Sequence, residues 1–335
     1  MTDNRRINSI DIVRLFAAIL VIAIHTQAVT WFAGRPNGDI QILTRLAVPF
    51  FFCTSGYFLQ KAFDREGSSA IVAALLKTIV LYAALSLVYF NVIFLQNPSL
   101  LHESKKWMLI DFLFNGSYYH LWYLVGVIYS MIMIFLFCRI RLSRLLLPMA
   151  VVCYIIGLLG TSYYGIGSRI PSLHILFDSG WFQSIRRIFL MGFPFTVLGW
   201  TISEGKLKIT LSRKQLLRST ALAAFLFVAE IIAVTCTGMS KSVVITVFLY
   251  PLIFLIFKLC LMYPLADKAG LASTCKDAAN FSYYWHPIVI LVLRRTIDAN
   301  FPLFLATTAI CLLLGYCWHS LKNRRRISHE HHANI

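Results

Sequence analysis

The chain reads as a succession of long apolar runs separated by short polar connections. Ten runs stand out, at about residues 9–29, 40–62, 69–95, 119–138, 143–160, 185–203, 214–237, 242–262, 276–295 and 300–320. Each is close to the roughly 20 apolar residues that cross the hydrocarbon of a bilayer. A backbone in lipid must satisfy its own N–H and C=O groups, which makes such runs helices. The pattern predicts an all-α, polytopic membrane protein of about ten transmembrane helices. No internal repeat, linker or low-complexity tract interrupts it, so one domain is expected over residues 1–335, closed by a basic tail at 321–335. Two connections are long, 96–118 and 161–184, and carry aromatic and polar residues such as Trp107, Tyr118 and Trp181.

Composition supports the same class. Of 335 residues, 59% are hydrophobic and 13% charged, with a mean hydropathy of +0.72. A soluble domain is about 45–50% apolar and about 25% charged, so a soluble fold would expose large apolar patches. Disorder and collagen-like structure are excluded on the same grounds. Eight cysteines lie mostly inside apolar runs, without a CxxC or Cys/His ligand spacing, and read as buried thiols rather than disulfides or metal ligands. The first run carries Arg14 and His25 and lacks an A-x-A exit, so it is expected to stay as the first helix rather than be cleaved as a signal.

The net charge of +17 carries topology. Its basic residues sit in short loops between apolar runs, which argues against a nucleic-acid partner. With ten spans, one side holds both termini together with Arg5, Arg6, Lys61, Arg65, Arg139, Arg141, Arg144, Lys206, Lys208, Arg213, Lys214, Lys268, Lys276, Lys322, Arg324, Arg325 and Arg326. The other side holds Arg35, Lys105, Lys106, Arg169 and Lys241. The positive-inside rule then makes both termini cytoplasmic. His329, His331 and His332 in the tail read as a polar end, and no metal site is expected.

Ionisable residues inside a span cost roughly 2.5–3.5 kcal/mol each on insertion scales and are functional candidates by default. They are Arg14 and His25 in the first run, Arg45 in the second, Lys77 in the third, Glu230 in the seventh and His286 in the ninth. Eleven residues separate Arg14 from His25. At about 100° per residue the two share a face, about 16 Å apart along the axis. Asp11, one turn before Arg14, is its expected partner. Sorted by depth, Arg14, Lys77 and the Ser55-Gly56 step form an inner cationic layer suited to an anionic ligand. His25, Glu230, Arg45, His120 and Trp122 form an outer layer with a histidine and a carboxylate, the parts of a general base and its orienting partner. Two blander readings stand beside this one. The charges can simply pair, Asp11 with Arg14 and Arg45 with Glu230. His286, next to the helix-kinking Pro287, can line a cavity or make an interhelical hydrogen bond.

The same residues carry a resemblance. Asp11-x-x-Arg14 followed by His25 is similar to the first-helix signature of the acyltransferase family 3 integral membrane proteins. Pro49 to Tyr57 resembles their Phe-rich second helix ending in Ser-Gly-aromatic, His120-Leu121-Trp122-Tyr123 resembles the start of their fourth, and Tyr283-Tyr284-Trp285-His286-Pro287 resembles a late Tyr-x-x-His-Pro helix. The resemblance runs in order from residue 9 to about 320. It implies transfer of an acyl group, usually acetyl from acetyl-CoA as co-substrate, to a hydroxyl of a glycan, lipid-linked glycan or other cell-envelope acceptor, in the inner membrane of a bacterium. It implies His25 as the catalytic residue and Arg14 as needed for the acyl donor. Joined to the depth sorting, His25 is the expected general base with Glu230 holding its imidazole, the donor phosphates are expected by Arg14 and Lys77, and Arg45, Ser55, His120, Trp122 and His286 are the expected substrate pocket. An acyl-histidine intermediate is the other chemical route. The family's Arg-rich opening of the third helix is replaced here by Asp64-Arg65-Glu66 and a lone Lys77. The architecture also resembles the membrane half of vancomycin-resistance serine racemases, in which the pattern around Phe193-Pro194 and Trp285-His286-Pro287 recurs; the racemase half is absent from this sequence. The competing functions are therefore a transporter of a small polar solute such as an amino acid, with Arg45, Glu230 and His286 as a proton relay, and a structural or sensory membrane subunit.

Overall fold

The computed structural model describes residues 7–28, 42–96, 105–207, 210–265 and 270–333. Arg5, Arg6, Arg35, Lys208 and Lys268, and the side chains of Lys105, Trp107, Arg326, His329, His331 and His332, lie outside the described residues. The described residues form helices and no strand. Fourteen α-helices follow in chain order: α1 Asn8–Thr26, α2 Ala47–Glu66, α3 Ser68–Gln96, α4 Lys105–Ile110, α5 Trp122–Arg139, α6 Leu146–Gly160, α7 Tyr164–Gly167, α8 Pro171–Phe177, α9 Phe182–Ile185, α10 Phe193–Ser203, α11 Arg213–Cys236, α12 Leu249–Met262, α13 Leu271–Leu293 and α14 Asn300–Ala333.

Seven stretches among the described residues are long and apolar enough to cross a membrane: Asn8–Thr26, Ser68–Gln96, Trp122–Arg139, Ser143–Gly160, Phe182–Ser203, Arg213–Cys236 and Asn300–Arg325. The protein is a multi-pass membrane protein. The other three apolar runs of the sequence are also helical, with different character. Helix α2 ends in Lys61, Asp64, Arg65 and Glu66, α13 carries Lys276 and Asp277, and α12 is only 14 residues long. The run that opens at residue 242 begins as bends and a turn, and its helix starts at Leu249. The long connections are structured: 105–115 forms α4 and a π-helical turn, and 161–184 holds α7, α8 and most of α9.

The chain divides into two compact units. The first comprises residues 1–50, 212–222 and 253–335. Within it α13 packs against both α1 and α14. Gly315 of α14 makes the second contact close: a Cβ there would stand 2.7 Å from the Cα of Ala278. The N-terminal turn of α1 is tied down by Asn8, whose Nδ2 donates to the carbonyl of Leu265, and by Ser9, whose hydroxyl donates to the carbonyl of Cys260. These bonds satisfy buried polar groups that would otherwise cost stability at a helix end.

The second unit comprises residues 51–211 and 223–252. Its α2 and α10 touch backbone to backbone. A Cβ on Gly56 would fall 1.8 Å from the carbonyl oxygen of Thr196, and one on Gly199 would fall 1.8 Å from that of Cys53. Small residues at a crossing let membrane helices gain packing contact that lipid cannot supply. The Ser-Gly step of α2 thus has a packing reason. Its serine hydroxyl lies 2.9 Å from the Tyr123 hydroxyl of α5.

Two connections of this unit are knitted together. The amide of Gly165 donates to the carbonyl of Met239, and the amide of Lys241 donates to that of Thr161. The Lys241 ammonium lies 2.6 Å from Oδ1 of Asp178, which also accepts from the Tyr164 hydroxyl, and Nε2 of His174 stands 3.0 Å from Oδ2 of the same carboxylate. The hydrogen bond from Lys241, and then that from Tyr164, hold the Asp178 carboxyl below the usual carboxylate range. A carboxyl that is more acidic folded than unfolded contributes stability above the unfolded value and loses it as pH falls through the folded one. The amides of Gly165 and Lys241 are therefore expected to be well protected from hydrogen exchange at neutral pH. They should lose protection, after correction for intrinsic rates, once the pH drops below the carboxylate range. Lys241→Ala should already show the loss at neutral pH. Equal protection in all three cases would show that the latch does not hold the connections.

Candidate functional site

Helix α1 places Arg14 and His25 on the face that meets α13. The Nη2 of Arg14 donates to Oδ1 of Asn280 at 2.9 Å, and its Nη1 stands 3.5 Å from Oδ1 of Asp11, the expected partner one turn earlier. His25 stacks on His286 of α13, with ring centroids 5.2 Å apart and planes inclined by 25°. The shared face expected from the eleven-residue spacing is therefore the interface with α13. From Asn280 to His286 is six residues, about 9 Å of helix rise. A cationic end and an imidazole pair are set one above the other along one interhelical seam.

The two ends have different spare capacity. Nε of Arg14 is buried and has no hydrogen-bond partner among the described residues, so the guanidinium keeps donors for a further anion. His286 is fully buried. Its Nδ1 lies 2.8 Å from the carbonyl oxygen of Ser282. A carbonyl can only accept, so Nδ1 carries the proton and a neutral His286 keeps Nε2 as an acceptor.

The comparisons with known proteins bear on this geometry. Residues 7–319 match the family described as an acyltransferase domain, acyltransferase 3. The chain belongs to the acyltransferase 3 family. It is also similar to two amino-acid racemases from Enterococcus faecalis: 34% identical over 177 residues, and 33% over 180, covering 51% and 53% of this chain and 25% of each relative. A serine/alanine racemase from Enterococcus gallinarum is 30% identical over 171 residues, 48% of this chain and 24% of the relative. The matches therefore cover about a quarter of the length of these relatives. No solved structure matches the chain.

The other residues expected at an acyltransferase site fall in several places. Arg45 belongs to the first unit, on a 3-10 turn, Leu43–Leu46, that leads into α2; its Nε is buried without a hydrogen-bond partner among the described residues. Lys77, Ser55, His120, Trp122 and Glu230 belong to the second unit. Lys77 is exposed on α3 beside exposed Leu76 and near Val80. Ser55 is engaged with Tyr123, as described above. His120 is buried among the rings of Tyr89, Tyr118 and Tyr119, with centroids 4.7, 5.8 and 5.8 Å away. Trp122, the first residue of α5, carries the guanidinium of Arg187 at 5.4 Å from its ring.

Glu230 has specific work in the second unit. Its Oε1 accepts from the Tyr163 hydroxyl at 2.7 Å and from the amide of Val247 at 2.6 Å, and its Oε2 accepts from the amide of Phe248 at 2.9 Å. Val247 and Phe248 immediately precede α12, so a side chain from α11 satisfies amides at the start of another helix, where no intrahelical acceptor exists. The sequence does not announce this cap, because two of the three partners are backbone amides. Three other groups lie outside the expected site residues. Asn280 is a neutral residue. Asp277 and His319 bond to one another across α13 and α14, Nδ1 to Oδ2 at 2.7 Å, with Lys322 on the other carboxylate oxygen. Their signal was available, a carboxylate and a histidine at the ends of apolar runs. Arg186 and Arg187, which open the run at 185–203, gave a similar signal.

Removing the charge of Glu230 tests its capping role. Glu230→Gln keeps the shape but weakens three charge-assisted bonds in a buried place. It should lower unfolding stability in detergent by roughly 1.5–3 kcal/mol and speed amide exchange at Val247 and Phe248. A change within about 0.5 kcal/mol, the range of ordinary surface substitutions, with unaltered exchange would contradict the cap.

Proposed function

We propose that the protein is a membrane O-acyltransferase that moves an acyl group, acetyl in the simplest case, from acyl-CoA to a hydroxyl of a glycan or other cell-envelope acceptor. The observation that carries this is the seam between α1 and α13 in a chain of the acyltransferase 3 family: Arg14 with spare donors at one level and His25, stacked on His286, about 16 Å further along α1. Arg14 takes an anionic part of the CoA donor. His25 accepts the proton of the acceptor hydroxyl as its oxygen attacks the thioester carbonyl. The new C–O bond forms and the C–S bond breaks. The CoA thiolate departs and takes its proton from the histidinium. His286, held by Ser282 in one tautomer, orients His25 by stacking. In this reading His286 has the orienting role, and Glu230 supports the fold of the second unit through its three hydrogen bonds.

The ten-span topology, with both termini cytoplasmic in a bacterial plasma membrane, completes the proposal. It sets Arg14 in the second turn of the first span, toward the cytoplasm where acyl-CoA is made. His25 then lies toward the outer leaflet, where envelope acceptors are found.

A second reading is favoured by one observation: the curated relatives that match half of this chain are named amino-acid racemases. In that reading the membrane unit handles an amino acid, as a transporter, and the histidine pair relays protons. One binding panel separates the two. Thermal shift of the purified protein in detergent would be recorded with acetyl-CoA, CoA and L-serine. The acyltransferase reading expects a shift with acetyl-CoA that Arg14→Ala abolishes and His25→Ala keeps. A shift with serine and none with either CoA species would replace it with the transporter.

A further inference from the structure

Arg187 lies within one of the seven apolar spans, Phe182–Ser203, and the proposed reaction does not use it. The segment that holds it, Arg186–Gly192, is π-helical, a conformation found mostly as single turns at functional sites. A second π-helical turn, Asp111–Asn115, is joined to the residues just before it: the Ser184 hydroxyl donates to Oδ1 of Asn115 at 2.6 Å, and Nδ2 of Asn115 donates to Oδ1 of Asp111 at 2.7 Å. The guanidinium of Arg187 lies over the indole of Trp122, 5.4 Å from its centroid. It makes no hydrogen bond and no ion pair of 4 Å or less among the described residues. Asp111 is near enough to act on it electrostatically, but bonds Asn115 instead.

A guanidinium in an apolar span normally finds a carboxylate or a set of carbonyls. Here its flat face is covered by an aromatic ring, and its N–H edge has no acceptor among the described residues. Stacking fixes the plane of the fork and leaves that edge for two parallel hydrogen bonds to a planar or tetrahedral oxyanion. Trp122 opens the fourth span and Arg187 the sixth, so in the ten-span topology both lie toward the face opposite the termini.

We propose that Arg187, held on Trp122, binds a carboxylate or phosphate oxyanion, and that this is the anionic group of the hydroxyl acceptor. The binding site stands on the geometry alone. Its assignment to the acceptor rests on the acyltransferase reading. An acceptor of this class is a uronate or a sugar phosphate, with neutral sugars excluded.

The test is equilibrium binding to the full-length protein in detergent, followed by tryptophan fluorescence, with glucuronate, glucose 6-phosphate and glucose as probes. Acetyl-CoA binding is measured in parallel. At least one anionic sugar should give a saturable change and glucose none, and the preferred anion separates a carboxylate from a phosphate source. Arg187→Gln should weaken that binding about tenfold or more, and Arg187→Lys, which keeps charge but not the planar fork, should weaken it less. Acetyl-CoA binding should be unchanged in both variants, which also reports that they are folded. If neither anion binds, or Arg187→Gln binds as the native protein does, the site is overturned. If the anion binds through Arg187 but acetyl-CoA does not bind the native protein, the acyltransferase reading fails and the oxyanion site stands.

Discussion

A polar side chain placed in hydrocarbon must find its partner inside the protein, because lipid offers none. In this chain that constraint acts most strongly on α1, which carries an arginine and a histidine on one face. The face is closed by α13, which answers the arginine with Asn280 and the histidine with His286. The same contact that satisfies the two residues also holds them at a fixed separation on a rigid element. Asn280 is a neutral partner and Asp11 stands at 3.5 Å, so Arg14 keeps part of its donor capacity. A carboxylate in place of Asn280 would give a tighter seam and a cation with less left for a ligand. The close approach of Gly315 to α13 on its other side fixes the helix that supplies both partners.

The second unit meets the same constraint by another route. Its buried carboxylate, Glu230, is matched to two backbone amides and a tyrosine hydroxyl, and its polar connections are bonded to one another through Asp178 and Lys241. Arg187 departs from that rule. Its cation rests on an indole with no hydrogen-bond acceptor among the described residues, and two π-helical turns interrupt the regular helices around it. Where one charge is left incompletely answered while its neighbours are matched, function is the natural reason to retain it.

Much of this was legible in the sequence, for definite reasons. Each of the ten apolar runs holds a helix among the described residues, and seven of them are long and apolar enough to cross a membrane, because backbone satisfaction in lipid leaves little choice. The shared face of Arg14 and His25 follows from helical periodicity alone, and their meeting with one helix, α13, is its consequence. The pairing of Asp11 with Arg14 was equally local. What the sequence did not reveal depends on distant or backbone partners. Glu230 reads as a partner for a side chain and does accept from Tyr163, but its oxygens also face amides at residues 247 and 248, which no residue type announces. Asn280 carries no charge and gave no alarm. Arg187 was hidden by the apolar run that follows it. The apolar run opens at 242, ahead of α12 at Leu249, because residues 242–248 are apolar enough to extend a run although they form bends and the turn that Glu230 caps.

The central claim is that the imidazole of His25 carries the chemistry at the seam between α1 and α13. The most direct measurement is the incorporation of radiolabelled acetyl groups from acetyl-CoA into envelope material by membranes containing the native protein or His25→Ala. The account predicts incorporation by the native protein and its loss, to the level of membranes without the protein, in His25→Ala that still binds acetyl-CoA. Incorporation by His25→Ala at the native rate would contradict it.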